Sequence, residues 1–305
     1  LSGDLYILKD MNHFELKSKF PNDLAVIKYF IQIRYGEKIF CNHCKSFRIS
    51  RLPNPKFYQC NACNNSFSIF KGTVFEKTRV SLLKWVLAIN FVCNNKKSLS
   101  ACQLQREIGG GYDTSWRILH QIRKAMANRV NQKLFKDIVE VDETYVGGKP
   151  RKGNRQNKPI KRGRGTNKTP VVGILERESG RVYAQVAIPN SEGKKLTGKQ
   201  LLNIIDKAVT KNITIMTDEF KGYKILDKNP ERIHLVIDHS KEFVRGAIHT
   251  NNIENFWSLL KRGIIGSYHH ISVKYMQRYV DEFSFRYSER KNKDLFGLIM
   301  GRTVL

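Results

Sequence analysis

Two cysteine pairs, Cys41-x-x-Cys44 and Cys60-x-x-Cys63, are separated by 15 residues and constrain their part of the chain more tightly than any other feature. Each CxxC turn lets two sulfurs face one point, and four thiolates so arranged suit a tetrahedral zinc ion. The spacing predicts a zinc ribbon over 37–75. Phe57-Tyr58 and Phe67-Ser68-Ile69-Phe70 are its expected strands. Four protein ligands leave no open coordination position, so this zinc is expected to be structural. The remaining cysteines, Cys93 and Cys102, fall on apolar helical faces and read as buried thiols. Cysteines used for metal rather than for disulfides point to a reducing, cytosolic compartment.

The charge balance selects the partner. Lys and Arg number 54 against 27 Asp and Glu, a net charge of +27 with a pI near 9.9. Self-repulsion of that size favours a polyanion, with nucleic acid ahead of an anionic membrane surface. A hydrophobic fraction of 41% is enough for a core and excludes disorder throughout. The most apolar run, Ser81–Cys93, is interrupted by Lys84 and Asn90 and is shorter than the ~20 residues a bilayer needs. The N-terminal residues lack a secretory signal pattern, so no membrane partner is expected.

Periodicity divides the chain into five parts. Residues 1–36 read as one or two short helices, with Asn22 or Asp23 capping the second. The ribbon follows. Residues 76–130 read as three helices, Ser81–Asn94, Leu99–Ile108 and Thr114–Val130, with Gly109-Gly110-Gly111 separating the last two. From 131 to 290 the pattern is mixed: strands over Ile138–Tyr145, Thr169–Leu175, Gly180–Ile188, Ile213–Asp218 and Ile233–Asp238, and helices over Gly198–Val209, Asn252–Ile264 and Val273–Ser288. Residues 291–305 are left as a tail.

The last helices of the 76–130 region resemble a helix-turn-helix. The second carries Arg117, His120, Arg123 and Lys124 beside the apolar Trp116, Leu119, Ile122 and Met126. A basic face backed by an apolar one suits the major groove, and it equally fits an amphipathic helix with a solvated face.

Three acids sit where apolar patterning makes them conspicuous. In Ile138-Val-Glu-Val-Asp-Glu-Thr-Tyr145, alternation puts Glu140 and Asp142 on one side and Glu143 on the other. A carboxylate in such a strand is costly to bury unless it is paired or binds a cation. Asp218 ends the apolar strand Ile213–Asp218. Glu254 lies on a helix whose core stripe is Ile253, Phe256, Trp257, Leu260 and Ile264, and Lys261 lies two turns further along the same side. Each has a structural alternative: a strand end, a turn, and an Asn251-x-x-Glu254 capping box. Two strand acids and one helix acid also suffice to hold two divalent cations, Mg²⁺ or Mn²⁺, across a phosphodiester.

These stretches resemble a known family. Val139-Glu-Val-Asp142-Glu-Thr-Tyr145-Val-Gly-Gly148, Thr217-Asp218-Glu-Phe-Lys-Gly-Tyr223 and His249-Thr-Asn-Asn-Ile-Glu254-Asn-Phe-Trp257-Ser-Leu-Leu-Lys261 are similar to the zinc-ribbon DDE transposases of the ISXO-two-like insertion-sequence group, which are related to Merlin elements. The likeness covers about residues 20–290. It implies an α/β fold class: an RNase H-like catalytic domain, a mixed sheet with flanking helices, preceded by the zinc ribbon and the helix-turn-helix segment. Asp142, Asp218 and Glu254 match the family's acids in order, and Lys261 matches a lysine that contacts DNA. Some members carry Asn in the third role, and Asn251 and Asn252 lie within a turn of Glu254.

The implied activity is insertion-sequence transposition: hydrolysis of a phosphodiester at the element's end, then attack of the freed 3′-hydroxyl on target DNA. The implied partner is double-stranded DNA, bound by a homo-oligomer of at least two copies. The expected location is cytoplasmic and nucleoid-associated in a bacterium, or nuclear in a eukaryote. Lys149–Lys168 holds nine basic residues and no acidic one. Its Lys152, Arg155, Arg162 and Arg164 are expected to contact phosphates. A catalytically silent DNA-binding protein and a nuclease without strand transfer are the competing readings.

Overall fold

The computed structural model describes residues 11–127, 135–147, 168–188, 196–237 and 249–304. The chain divides into two compact units, Leu1–Met126 with Asn292–Leu305, and Ala127–Lys291.

The first unit begins with α1 (His13–Lys19) and α2 (Asp23–Tyr35). Asn12 and Glu15 form a capping box on α1, and the Asn22 side chain accepts from Ala25 N to start α2. The ribbon follows as an antiparallel sheet of β1 (Ile49–Arg51), β2 (Phe57–Cys60) and β3 (Ser66–Ser68). Then come α3 (Leu82–Asn94), α4 (Ala101–Ile108) and α5 (Tyr112–Met126). Gly109 and Gly110, at φ of 68° and 93°, make the turn between the last two in a region that side chains with a Cβ avoid. The first N–H groups of α3 are capped from a distance: Asp23 accepts from Ser81 Oγ, Leu82 N and Leu83 N at 2.7, 3.1 and 2.9 Å. An aromatic chain of Phe70, Phe30, Phe75 and Trp85 joins ribbon to helices, with Phe30 and Phe75 4.6 Å apart.

The expected C-terminal tail is a helix instead, α9 (Leu295–Val304). Its Phe296, Ile299 and Met300 are fully buried in the first unit. The reason is burial of a short apolar run that shows no clear polar face.

The second unit holds a five-stranded mixed sheet in the order β6-β5-β4-β7-β8. These are β4 (Ile138–Val146), β5 (Thr169–Glu176), β6 (Val182–Val186), β7 (Ile213–Asp218) and β8 (Arg232–Ile237). The first three run antiparallel, and β7 and β8 run parallel to β4. Helix α6 (Gly198–Ala208), started by a Thr197–Gln200 capping box, and a 3₁₀ segment Lys221–Lys228 cover one face. Helices α7 (Asn251–Gly263) and α8 (Met276–Ser288) cover the other. Val139 and Val141 enter the α6 core, and Val171 and Leu175 the α7–α8 core. This mixed α/β sheet with helices on both faces is the RNase H-like arrangement that the resemblance implies.

Candidate metal centre and acidic site

The four cysteine sulfurs lie within 4.8 Å of one another. Cys41 and Cys63 are 3.7 Å apart and Cys44 and Cys60 3.5 Å. A tetrahedron with Zn–S of about 2.3 Å has edges of about 3.8 Å, so the donor set fits zinc. His43 N donates to Cys41 Sγ at 3.3 Å, and Asn65 Nδ2 donates to Cys63 Sγ at 3.5 Å. The Asn65 backbone and side-chain N–H groups hold the Cys63 thiol down to about 6, while burial and the three neighbouring cysteine sulfurs push Cys44 up to about 12.

The acidic site forms where β4 and β7 part. Their ladder runs from Ile138↔Thr214 to Glu140↔Met216, and two further residues along that register set Asp142 against Asp218. Crevices at the carboxyl ends of parallel strands are where open α/β sheets bind ligands. Here one oxygen each of Asp142, Glu143 and Asp218 comes within 4.8 Å of the others. Asp142 is half-buried on the α7 side, where its Oδ2 accepts from Trp257 Nε1 at 2.9 Å. Glu143 is buried on the α6 side, where its Oε2 accepts from the hydroxyl of the wholly buried Tyr223 at 2.8 Å. Asp218 Oδ1 accepts from Phe220 N at 3.1 Å.

Burial, with Glu143 and Asp218 nearby, pushes the Asp142 carboxyl up to about 8. Three carboxylates crowded at a half-buried strand end favour a bound cation, and oxygen donors suit Mg²⁺ or Mn²⁺. The donor set therefore fits a divalent metal.

Glu254 is outside this group of three. It is exposed on α7, and its Oε1 accepts from Thr250 Oγ1 at 3.1 Å. The Asn251–Glu254 capping box, the structural alternative for this acid, does not form: Thr250 is the N-cap, and no side chain of the helix caps it. The cap comes from the sheet. Glu140, with no solvent exposure, accepts from Asn252 N and Ile253 N at 2.9 and 3.0 Å and from Asn252 Nδ2 at 2.9 Å. Arg177 Nε donates to the same carboxylate at 2.7 Å, and Arg177 Nη2 donates to His249 O. A carboxylate at a helix N-terminus is doubly favoured, by the orphan N–H groups and by the helix dipole. In the sequence Glu140 stands out only as a carboxylate that is costly to bury. Its position between Val139 and Val141 was the available signal.

Of the predicted groove-facing residues, Arg117 and Lys124 are exposed on α5. His120 and Arg123 are 2% and 3% exposed, and His120 packs on Trp116 with ring centroids 4.0 Å apart. This corrects the expected four-residue basic face: those two lie on the core side of α5. Lys261 is exposed on α7. Lys152, Arg155, Arg162 and Arg164 lie outside the described residues. Among the described residues, no helix is long and apolar enough to cross a membrane.

Residues 134–288 match the family model described as ISXO2-like transposase domain. The chain is 28% identical over 257 residues to an uncharacterized protein in transposable element ISH50 of Halobacterium salinarum, covering 80% of this chain and 83% of that one. It is 29% identical over 119 residues to an uncharacterized transposase-like protein of Haemophilus influenzae, covering 39% of this chain and 90% of that one. Among solved structures, the Mos1 strand transfer complex aligns at 11% identity over 72% of this chain and 78% of that one. Its TM-score is 0.30.

Proposed function

The chain belongs to the ISXO2-like transposase domain family, and from that premise we propose that it is a DNA transposase that cuts and rejoins phosphodiesters with divalent cations held at Asp142 and Asp218. The observation that carries this reading is the convergence of Asp142, Glu143 and Asp218 at the opening between β4 and β7. When bound there, two such cations supply Lewis acidity to the attacking and leaving oxygens of a phosphodiester.

The chain's own residues supply the rest. Asp142 and Asp218 hold the cations from adjacent strands. Glu254 is the third acid: at about 100° per residue it stands about 60° around α7 from Trp257, and Lys261 about 40°, on the flank that meets Asp142. Lys261 contacts a phosphate near the reacting bond. The ribbon at 37–75, the helices at 76–130 and the basic stretch at 149–168 hold duplex DNA, with Arg117 and Lys124 as contacts from α5. Synapsis of two ends calls for at least two copies on DNA. The zinc ion is structural.

The test uses a supercoiled plasmid carrying the sequences that flank the gene, with Mg²⁺ or Mn²⁺. Nicking, and transfer of pre-cut 3′-hydroxyl ends into a second plasmid, are the expected activities. D142N and D218N should abolish both while leaving DNA binding largely intact, and cleavage by D142N refutes the site. Loss of activity in E254Q but not in E143Q assigns the third acid to α7; the reverse assigns it to β4. Nicking without transfer identifies a nuclease.

A further inference from the structure

Helix α7 meets β4 through two polar contacts, and the second of them touches the acidic site. The first is the Glu140 cap on Asn252 and Ile253. The second is the Trp257 indole, 3% exposed, whose N–H points at Asp142 Oδ2 from 2.9 Å. A buried indole N–H needs an acceptor, and here the acceptor is a carboxylate of the reacting centre.

The sheet is cut to admit that ring. Gly173 on β5 is the direct partner of Asp142 across the antiparallel ladder. A Cβ at this position would lie 2.6 Å from Trp257 Cη2 and Cζ2 and 2.9 Å from Ile253 Cδ1. Those separations are far inside van der Waals contact. Gly173 is not needed for its backbone freedom, since it sits in a regular strand without positive φ. Its lack of a side chain lets the indole lie against the sheet beside the acid.

We propose that Trp257, seated in the notch at Gly173, is a positioning residue for the Asp142 carboxylate. Its N–H fixes the rotation of that carboxylate by occupying one oxygen, so the other would be left to hold a cation together with Asp218. This rests on the reading of Asp142 and Asp218 as cation ligands. It adds that the helix carrying Glu254 and Lys261 also sets the orientation of the strand acid, so the two halves of the site are aligned by one bond.

The experiment measures Mn²⁺ binding to the full chain by calorimetry and by tryptophan fluorescence, without DNA. W257F keeps most of the buried ring and removes the donor. G173A keeps the donor and fills the notch. Wild type should bind Mn²⁺ with a change in tryptophan emission that is missing in W257F, because the indole reports on its own acceptor. Loss of an outer contact to a metal ligand typically weakens metal affinity ~10–100-fold, the effect expected for W257F and G173A. In the W257F background, G173A should weaken binding less than it does alone, since Phe lacks the outer atoms that the new Cβ strikes. Equal Mn²⁺ affinity in W257F and wild type, with D142N unable to bind, overturns the proposal and leaves the acidic site standing. Undiminished binding by D142N overturns both.

Discussion

Replacing Asp142 by Asn should make the metal-free protein more stable while abolishing the nicking and strand transfer proposed for it. Asp142 is held at about 8 against an ordinary 3.8, by burial and by the Glu143 and Asp218 carboxylates. Between those values the folded chain holds a proton that the unfolded chain has released. Stability therefore falls as pH rises from 3.8 and levels off above about 8. At ~1.4 kcal/mol per pH unit, the cost reaches at most about 4 kcal/mol at pH 7 and about 1.6 kcal/mol at pH 5. Asn carries no such penalty, and its Oδ1 can still accept from Trp257 Nε1. In EDTA, urea unfolding of D142N and wild type should coincide near pH 4 and separate progressively up to pH 8, with D142N the more stable. Water penetration reduces the gap, so roughly 1–3 kcal/mol is the realistic size at pH 7. Trp257 is the probe: Trp85 and Trp116, the other two tryptophans, belong to the first unit. Addition of Mn²⁺ should close most of the gap or reverse it, because a ligand at a hundredfold excess over its Kd adds ~2.7 kcal/mol to wild type alone. A D142N protein less stable than wild type in EDTA at pH 8, or a gap that does not widen with pH, refutes the account of these three acids as an unrelieved cluster.

Other expectations follow from the remaining contacts. Metal analysis should find one zinc per chain, and C60S should lose it together with the protection of the β1–β3 amides from hydrogen exchange. E140Q should destabilise the second unit by roughly 3 kcal/mol, because it weakens the pairing of the half-buried Arg177 and the cap of α7 at once. Its loss of nicking should accompany increased exchange at Asn252 and Ile253. DNA affinity should fall steeply with salt, and removing both Arg117 and Lys124 should flatten the logarithmic slope by about 2, which a binding isotherm between 50 and 200 mM salt measures.

The elements of the sheet were legible because burial is regular there. The expected strand over Ile213–Asp218 matches β7, and those over 138–145 and 169–175 fall one residue short of β4 and β5. Alternation placed Glu140 and Asp142 on one side, which the separation of the two cores bears out, with Val139 and Val141 facing α6. The opposed Glu143 still reaches the same opening as Asp142, because the β4–β7 ladder has ended before it. Alternation alone does not describe a strand that is leaving its neighbour.

What was not legible depends on distant partners. Nothing near Gly173 signals that Trp257, 84 positions later, needs the space. The local Asn251–Glu254 pattern suggested a cap, and a carboxylate from β4 performs it. On α5 the four basic residues do not share one face, because His120 and Arg123 lie on the core side with Leu119 and Ile122. Helix α9 is hidden in the sequence because its apolar run, with Gly297 and Gly301, shows no polar face to mark it as amphipathic.

That helix carries a consequence for how the protein is made. The polypeptide leaves the first unit after Met126, builds the whole second unit, and returns at Asn292. The packing that α9 contributes around Phe20 and Phe296 thus waits until the second unit has been synthesised. On the ribosome the sheet with its acids is complete before the four-cysteine body can close. A product that stopped short of Leu295 would carry every candidate acid and every cysteine, yet would leave an apolar socket open in the body that holds the four cysteines.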